Sequence, residues 1–150
     1  MTWSFQPAEP ADRSAIEALL IASALPVTDL PADLDGFLIL REGDILAACG
    51  GIEPLDPSTG LVRSLAVAPP RRGQGIADAL LDALEERAAA SGLTTLCMLT
   101  TTITTFAQAR GYVPIPRAQA PEAIRVTAQF QGLCPDSAAL LIKERPAPRT

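Results

Sequence analysis

The sequence predicts a single α+β domain over residues 1–150, in which an antiparallel meander followed by a β-α-β-α succession gives a mixed sheet. Three observations predict this class. Apolar runs separated by turn residues fill residues 37–67, a long helical pattern follows, and shorter apolar runs come after it. With 48% hydrophobic residues, the 150-residue chain is large enough to bury one core of its own.

The N-terminal part predicts a strand, a helix and a loop. A short strand is expected at Trp3–Gln6. A helix is expected over about residues 11–24, before Pro26 stops it. Residues 26–36 are rich in proline and aspartate, which is typical of a loop.

Three strands of a meander come next. Glu42-Gly43 is typical of a tight turn, and Pro57, Ser58 and Gly60 mark a second one. Pro69-Pro70 ends the third strand abruptly, because proline cannot continue the ladder. The predicted strands are 37–41, 44–52 and 61–67.

The next element is the best defined in the sequence. Ile76, Leu80, Leu84 and Ala88 recur every four residues and form one apolar stripe, with acidic side chains largely on the other side. Gly92 is expected to stop this helix. The sequence therefore predicts one long amphipathic helix immediately after the third meander strand.

The C-terminal part predicts three shorter elements. A strand is expected at Thr95–Leu99, a helix at Thr101–Arg110 that ends at Gly111, and a final strand at Ala138–Lys143. The strand that follows the long helix can pair with the third meander strand in parallel. This crossover completes the predicted mixed sheet.

The composition excludes several kinds of chemistry. The chain contains no histidine, which removes the Ser-His-Asp triad, the Cys-His dyad and nearly every transition-metal site. Cys49, Cys97 and Cys134 lie far apart without CxxC spacing, which favours reduced thiols over a disulfide framework. We therefore expect no metal, and chemistry carried out by backbone amides, carboxylates, arginine and hydroxyls.

Charge and hydropathy also limit the partners. The net charge of −5 does not favour nucleic acid. The longest apolar stretches, such as Ile16–Pro26 and Leu93–Leu99, are far below the roughly 20 residues of a membrane span. The first residues lack the basic and apolar regions of a signal peptide. We expect a cytoplasmic protein with neither nucleic-acid nor membrane partners.

A glycine-bearing turn precedes the long helix. Gly73 and Gly75 let the backbone approach an anion at a helix N-terminus, where N–H groups and the helix dipole favour negative charge. A Walker loop is disfavoured because its lysine is missing, and a Rossmann fingerprint because Asp78 replaces its third small residue. A simple helix cap, or a nucleotide site on another fold, stays open from these residues alone.

The sequence around this turn narrows the choice. The stretch RGQGIA at Arg72–Ala77 fits the R/Q-x-x-G-x-G/A motif of the GNAT acetyltransferases, and it follows the strand residues Leu65–Pro69 as in that family. The stretch FAQARGY at Phe106–Tyr112 is similar to the family's helix followed by Gly and an aromatic residue. The chain therefore resembles a GNAT N-acetyltransferase over nearly its whole length.

A narrower resemblance comes from two further stretches. The residues Arg117–Lys143, together with LVRSLAV at Leu61–Val67, resemble a branch of small acetyltransferases associated with arsenic resistance. This resemblance implies an amino-acid-like toxin or metabolite as acceptor, in an arsenic-resistance context.

The family resemblance also implies a binding site for acetyl-CoA. The cofactor would lie in a V-shaped gap between the splayed parallel strands 61–67 and 95–99. Backbone groups of Leu65–Val67 would pair with the pantetheine arm, and amides of Arg72–Ala77 would hold the pyrophosphate. Thr100 stands where many members carry an asparagine. The implied cofactor-binding residues are Leu65, Ala66, Val67, Arg71, Arg72, Gly73, Gln74, Gly75, Ile76, Ala77 and Thr100.

The catalytic groups are less regular. Ala107 stands where many members carry the tyrosine that protonates the departing thiolate. A thiol with a pKa of about 8.5 is already a fair leaving group, so water could protonate the thiolate in place of the tyrosine. Tyr112 offers a replacement hydroxyl, although the family aromatic at this place commonly packs in the core. Glu53 could take the proton from the amine, directly or through water, or be an ordinary surface glutamate.

The acceptor is expected to be small. An α-amino group has a pKa of about 7.7–8.0 against about 10.4 for lysine, so a weakly supplied base favours amino-acid-like molecules. Strict alternation puts Arg63 on the strand face of Leu65 and Val67, where either an anion is near or Arg63 lies at the solvent end. We expect Arg63, Ser64 and Arg117 to contact the acceptor.

Two functions from different classes follow. The first is an acetyl-CoA-dependent N-acetyltransferase for a small-molecule amine, homodimeric as its family often is, which releases coenzyme A. The alternative is a non-catalytic acyl-CoA-binding or sensor module that kept the phosphate turn and lost the general acid at Ala107.

Overall fold

The computed structural model of the chain describes residues 3–133 and 138–144. The helices within these residues are α1 (Arg13–Ala22), α2 (Ile76–Ala90), α3 (Thr104–Ala109) and α4 (Glu122–Arg125). The strands are β1 (Gln6–Pro7), β2 (Phe37–Glu42), β3 (Ile45–Pro54), β4 (Thr59–Val67), β5 (Thr95–Thr100), β6 (Val113–Ile115) and β7 (Ala139–Glu144). Cys134 lies outside the described residues.

The strand pairing confirms the predicted mixed sheet. The hydrogen-bonded order is β1-β2-β3-β4-β5-β7-β6. β4 and β5 are parallel, whereas β1–β2, β2–β3, β5–β7 and β6–β7 are antiparallel. The described residues form two compact units, one from the N-terminal residues up to Ile52 with Arg63–Arg87, the other from Glu53–Val62 with the residues from Ala88 onward.

The first unit contains α1 and most of the meander. The helix is preceded by a short 3-10 turn, Pro10–Asp12, in which the Glu9 N–H donates to the buried Asp12 carboxylate at 2.7 Å. Arg41 of β2 also pairs with that carboxylate, which ties the start of the helix to the sheet. The core of this unit consists of Ile16, Leu19, Leu20, Leu30, Leu34, Phe37, Ile39, Cys49 and Ala66.

The long helix packs on the meander through a glycine. A Cβ at Gly50 of β3 would lie only 2.9 Å from Leu65 and 3.2 Å from Leu84. Leu80, Leu81 and Leu84 are all buried, as the predicted apolar stripe requires. The missing side chain at Gly50 therefore lets α2 approach β3 closely, next to the strand that leads into the glycine turn.

The second unit contains the parallel strand pair. Thr59–Val62 of β4 pairs with Thr95–Met98 of β5, and this ladder ends there although β4 continues to Val67. The ladder confirms the predicted parallel pairing of the strands before and after α2. The core of this unit consists of Leu61, Cys97, Ala120, Ile124 and Leu140.

Two predicted elements near the N-terminus differ from the structure. The first strand lies at Gln6–Pro7 and not at Trp3–Gln6, because its ladder with β2 begins only at Gln6. The first helix ends at Ala22, because Ala24 has a φ of 59° and leaves the helical conformation. No described helix is long and apolar enough to cross a membrane.

Two further differences concern the C-terminal part. The helix predicted from Thr101 begins at Thr104, because the Thr100 hydroxyl accepts the N–H groups of Thr102 and Ile103 and holds them in a turn. The sequence did not predict β6. Pro114 lies inside this strand, which is tolerated because β6 is an edge strand.

Candidate functional site

The candidate site begins where β4 ends. The Ala68 N–H donates to the Ala47 carbonyl at 2.8 Å and keeps the end of β4 on the meander. Pro69–Arg71 then forms a 3-10 turn, closed by the Arg71 N–H on the Ala68 carbonyl at 2.8 Å. The Arg72 N–H donates to the Pro69 carbonyl at 3.3 Å. The chain therefore leaves the sheet in a fixed direction before it reaches the glycines.

The glycine turn is open and exposed. Gly73 and Gly75 have φ angles of 79° and 83°, a region that favours glycine, and a Cβ at either would meet nothing within 4 Å. Helix α2 begins at Ile76, and the Ala79 N–H donates to the Gly75 carbonyl at 3.1 Å. In an α-helix the first N–H groups are not used by the helical hydrogen-bond ladder. This arrangement can bind an anion through backbone amides.

The two arginines of the turn have different partners. The Arg72 Nε donates to the Val67 carbonyl at 3.0 Å, so Arg72 folds back toward the end of β4. The Arg71 guanidinium pairs with Glu42 at the end of β2. Both cations stay beside the turn, but the Glu42 carboxylate offsets the charge of Arg71. Arg72 is therefore the stronger source of positive charge for a bound anion.

The middle of β4 contains a conformational outlier. Ser64 has a φ of 59°, in the left-handed region, although it lies inside a strand. This interrupts the strict alternation predicted for Arg63. The prediction that Arg63 lies at the solvent-exposed end of the strand is wrong, because its side chain is only 1% exposed. The Arg63 Nη2 lies 2.7 Å from Asp29 Oδ1. The anion beside Arg63 is a carboxylate of the chain itself.

Most of the predicted site residues in the second unit are buried or form hydrogen bonds within the fold. The Thr100 hydroxyl holds the turn before α3, at 3.2 and 3.0 Å from the two N–H groups it accepts. Ala107 is fully buried, and Tyr112 is 1% exposed with the Lys143 Nζ 5.4 Å from its ring centroid. Glu53 is half-buried near the end of β3. Their catalytic or cofactor roles stay predictions.

Arg117 holds the C-terminal segment together. Its Nη1 donates to the Ala138 carbonyl at 3.2 Å and its Nη2 to the Phe130 carbonyl at 3.0 Å. The guanidinium carbon lies 4.5 Å from the centroid of the Phe130 ring. Arg125, in the same segment, donates to the Ala120 carbonyl at 2.9 Å and to the Ala118 carbonyl. An acceptor role for Arg117 therefore competes with these contacts.

The structure brings together the predicted residues of the first unit on one continuous strand-turn-helix, from Arg63 to Ala77. Sequence reasoning missed three partners of this segment, Asp29, Glu42 and Cys49. Asp29 stands in the aspartate-rich loop, but nothing in the sequence pairs it with Arg63. Among the described residues, no cluster of histidine, cysteine or acidic side chains is arranged to hold a metal ion.

The cysteines within the described residues are unreactive in character. Burial raises the pKa of the Cys49 thiol to about 12, and burial, followed by the nearby Asp56 carboxylate, raises that of Cys97 to about 11. Since the thiolate is the reactive form, both thiols stay protonated and protected near neutral pH. Neither is suited to act as a nucleophile.

A thiol-labelling experiment checks this prediction. In a Cys134→Ser variant, Cys49 and Cys97 are the two remaining thiols. At pH 8 neither thiol of the folded variant is expected to react with an aromatic disulfide reagent. The same variant unfolded in guanidinium should react at both thiols and release two equivalents of the reagent's thiolate per chain. Rapid labelling of the folded variant would contradict the burial of these thiols.

The geometry defines a class of protein. A meander, a parallel pair whose ladder stops part way, and an open glycine turn at a helix N-terminus together make the acyl-CoA N-acyltransferase fold. A family model described as the acetyltransferase (GNAT) family matches residues 3–112. The chain belongs to this family.

Comparison with individual proteins agrees with this assignment. An amino-acid acetyltransferase of Pseudomonas paraeruginosa is 34% identical over 103 residues, which cover 68% of this chain and 24% of that protein. The chain therefore spans about a quarter of the length of such curated relatives.

Two solved structures share the fold. An N-acetylglutamate synthase from Neisseria gonorrhoeae, complexed with coenzyme A and N-acetyl-glutamate, has a TM-score of 0.80 at 21% identity and covers 99% of this chain and 36% of its own. A Mycobacterium tuberculosis protein in complex with CoA has a TM-score of 0.75 at 22% identity and covers 95% of this chain and 99% of its own.

Proposed function

We propose that the chain transfers the acetyl group of acetyl-CoA to the α-amino group of a small, amino-acid-like molecule. The observation that carries this proposal is the open turn at Gly73 and Gly75, which ends β4 and begins α2. Two left-handed glycines with no protein atom near their missing Cβ positions leave room for a phosphate group against the backbone.

The turn fits the pyrophosphate of coenzyme A. The amides of the first α2 turn point toward the N-terminal end of the helix, where they would donate to phosphate oxygens. Arg72, held by its Nε on the Val67 carbonyl, adds positive charge beside them. Arg71 contributes less, because Glu42 shares its charge. Most of the affinity would therefore come from backbone amides and not from side chains.

The strand before the turn fits the pantetheine arm. The parallel ladder with β5 has ended by Val62, so the backbone of Leu65–Val67 is not used in that ladder. Backbone groups of this stretch other than the Val67 carbonyl, which accepts from Arg72, would pair with the amides of the arm, as the family resemblance implies. The strand would thereby direct the thioester sulfur toward the middle of β4.

The reaction requires little proton transfer from side chains. The neutral amine attacks the thioester carbonyl, the C–N bond forms, the C–S bond breaks, and the amine proton leaves to a base. Glu53 or water would take that proton, and water or Tyr112 would protonate the thiolate. The α-amino group of an amino acid is more acidic than a lysine side-chain amine, so a larger fraction of it is neutral at physiological pH.

The relatives support an amino-acid acceptor. Several Pseudomonas relatives that are 32–34% identical to this chain over 86 to 103 residues are named amino-acid acetyltransferases. The arsenic-resistance context rests on the resemblance of Arg117–Lys143 and Leu61–Val67, and it predicts phosphorus- and arsenic-containing amino acids as acceptors. We further propose a homodimer in the cytoplasm, which sedimentation of the purified protein and fractionation of cells would check.

Release of free coenzyme A thiol over a panel of amines tests the proposal. A matched pair is Nε-acetyl-lysine, which offers the α-amine, and Nα-acetyl-lysine, which offers the side-chain amine. We expect turnover of the first and of amino-acid analogues, little of the second, and a rate that rises with pH above neutrality as the α-amine deprotonates. Absence of turnover across the panel would contradict the proposal.

Ala107 favours a second candidate, a non-catalytic acyl-CoA-binding module. This residue is an alanine with a fully buried methyl group, so the hydroxyl of the tyrosine that many family members carry is missing at this position. This candidate predicts calorimetric binding of acetyl-CoA with no thiol release for any amine. Failure to bind coenzyme A would reject both candidates.

A further inference from the structure

We infer that Asp29, Arg63 and Cys49 are positioning residues, which hold Ser64 in its left-handed conformation and so set the direction of the cofactor strand Leu65–Val67. The inference rests on the proposed function, because it concerns the strand that would receive the pantetheine arm. None of the three residues needs to touch a ligand for this role.

The conformation of Ser64 needs external support. Its φ of 59° is disfavoured by roughly tenfold for a residue with a Cβ, and single residues of this kind persist only where their surroundings determine them. In β4 it lies inside a strand, with extended residues on both sides. The surroundings of Ser64 must therefore supply the compensating contacts.

The first contact holds the Ser64 side chain. The Arg63 Nε donates to the Ser64 hydroxyl at 3.3 Å. The same guanidinium is fixed at its other end, since Nη2 lies 2.7 Å from the Asp29 carboxylate and Nη1 lies 3.3 Å from the Asp29 carbonyl. The Arg63 side chain is 1% exposed and that of Asp29 is 14% exposed, so water competes little for this pair.

The second contact holds the Ser64 backbone. The Cys49 thiol, buried in the core of the first unit, donates to the Ser64 carbonyl at 3.4 Å. Burial keeps this thiol protonated and therefore able to donate. The hydroxyl and the carbonyl of Ser64 are thus held from two sides, by a loop residue acting through Arg63 and by a neighbouring strand.

The consequence falls on the residues that follow. A rotation of Ser64 to an extended conformation would re-aim the N–H and C=O groups of Leu65, because successive groups of a strand point to opposite sides. Those groups are the ones proposed to bind the pantetheine arm. The network therefore fixes the thioester end of the site, whereas the pyrophosphate turn stays as it is.

A matched pair at Ser64 provides the sharpest test. Ser64→Ala and Ser64→Gly both remove the hydroxyl, but only glycine adopts a positive φ without steric cost. We expect Ser64→Ala to lower kcat/KM for acetyl-CoA about tenfold more than Ser64→Gly does. The Kd for coenzyme A should differ less between the two variants than kcat/KM does, because the pyrophosphate turn is untouched in both. Equal losses in the two variants would overturn the inference.

Asp29 supplies the second arm of the test. Asp29→Asn removes the charge that fixes Arg63 and should lower kcat/KM, and adding Ser64→Gly should recover part of the loss. A double variant no better than Asp29→Asn would overturn the inference. The backbone ¹³C shifts of residue 64 report φ without any activity, and they should move toward extended values in Asp29→Asn but stay left-handed in Ser64→Gly. Unchanged shifts in Asp29→Asn would also overturn it.

These readouts keep the two proposals apart. If the wild-type chain shows no acetyl transfer with any amine, the proposed function fails, while the ¹³C shifts still report on Ser64. If acetyl transfer is present but the shifts and the Ser64 pair show no effect of the network, the inference alone fails.

Discussion

Gly75→Ala is expected to raise the Kd for coenzyme A by roughly tenfold or more. The new methyl group would stand in the open space of the turn, where a phosphate oxygen has to approach the amides. It would also disfavour the φ of 83° that aims those amides. Calorimetry with coenzyme A measures the effect. Acetyl-pantetheine, which lacks the pyrophosphate, should lose little as a substrate beyond its already weaker binding.

Gly43→Ala is the matched control. Gly43 has a φ of 62° with nothing within 4 Å of its Cβ position, but it lies in the turn between β2 and β3. Both variants should lose similar stability, on the order of 1 kcal/mol, because both force alanine into the left-handed region. The Kd for coenzyme A should change only in Gly75→Ala. An unchanged Kd there would mean that the turn is merely a helix cap.

The elements that position this turn could be predicted from local sequence. The apolar stripe of α2, the tight turn at Glu42-Gly43 and the break at Pro69-Pro70 each depend on residues close together in the chain. Their positions in the structure follow these local signals closely. The glycine turn was found for the same reason, since its conformation is encoded by Gly73 and Gly75 themselves.

The interactions that support the site could not be predicted in this way. Arg63 and Asp29 lie 34 residues apart in the sequence, and their pairing depends on how the loop after α1 folds back. The left-handed Ser64 carries no local signal, because serine rarely adopts this conformation. Of the two surroundings that alternation left open for Arg63, the structure shows the nearby anion, which is the Asp29 carboxylate of the chain itself. Tertiary contacts decide which arginine meets a ligand and which meets the chain itself.

The arginines of the turn show the same limit. The sequence places both Arg71 and Arg72 beside an anion site, and it favours Arg72 only because that residue occupies the first position of the motif. The structure separates them. The Arg71 guanidinium forms an ion pair with the Glu42 carboxylate, whereas the Arg72 Nε donates to the Val67 carbonyl, which carries no net charge. A surface ion pair contributes little to the stability of the fold, yet the Glu42 carboxylate offsets the positive charge that Arg71 would offer to a bound anion. The field at the turn is therefore weaker than the sequence indicates.

Arg117→Ala is expected to destabilise the fold by about 2 kcal/mol, or about 6 °C in Tm for a chain of this size. The substitution removes the donors to the Ala138 and Phe130 carbonyls and the stacking on the Phe130 ring. Thermal unfolding followed by circular dichroism measures the loss. The KM for the acceptor, measured well below the new Tm, shows whether Arg117 also contacts the substrate.

Arg125→Ala is the control for this substitution, and it separates the two roles of an arginine in this segment. Arg125 is exposed and donates to carbonyls only five and seven residues away, so its loss should cost less than about 1 kcal/mol. If Arg117→Ala lowers Tm strongly and leaves the acceptor KM unchanged, Arg117 holds the segment and does not bind the acceptor. If Tm is unchanged while KM rises, the carbonyl contacts contribute little and the guanidinium belongs to the acceptor site.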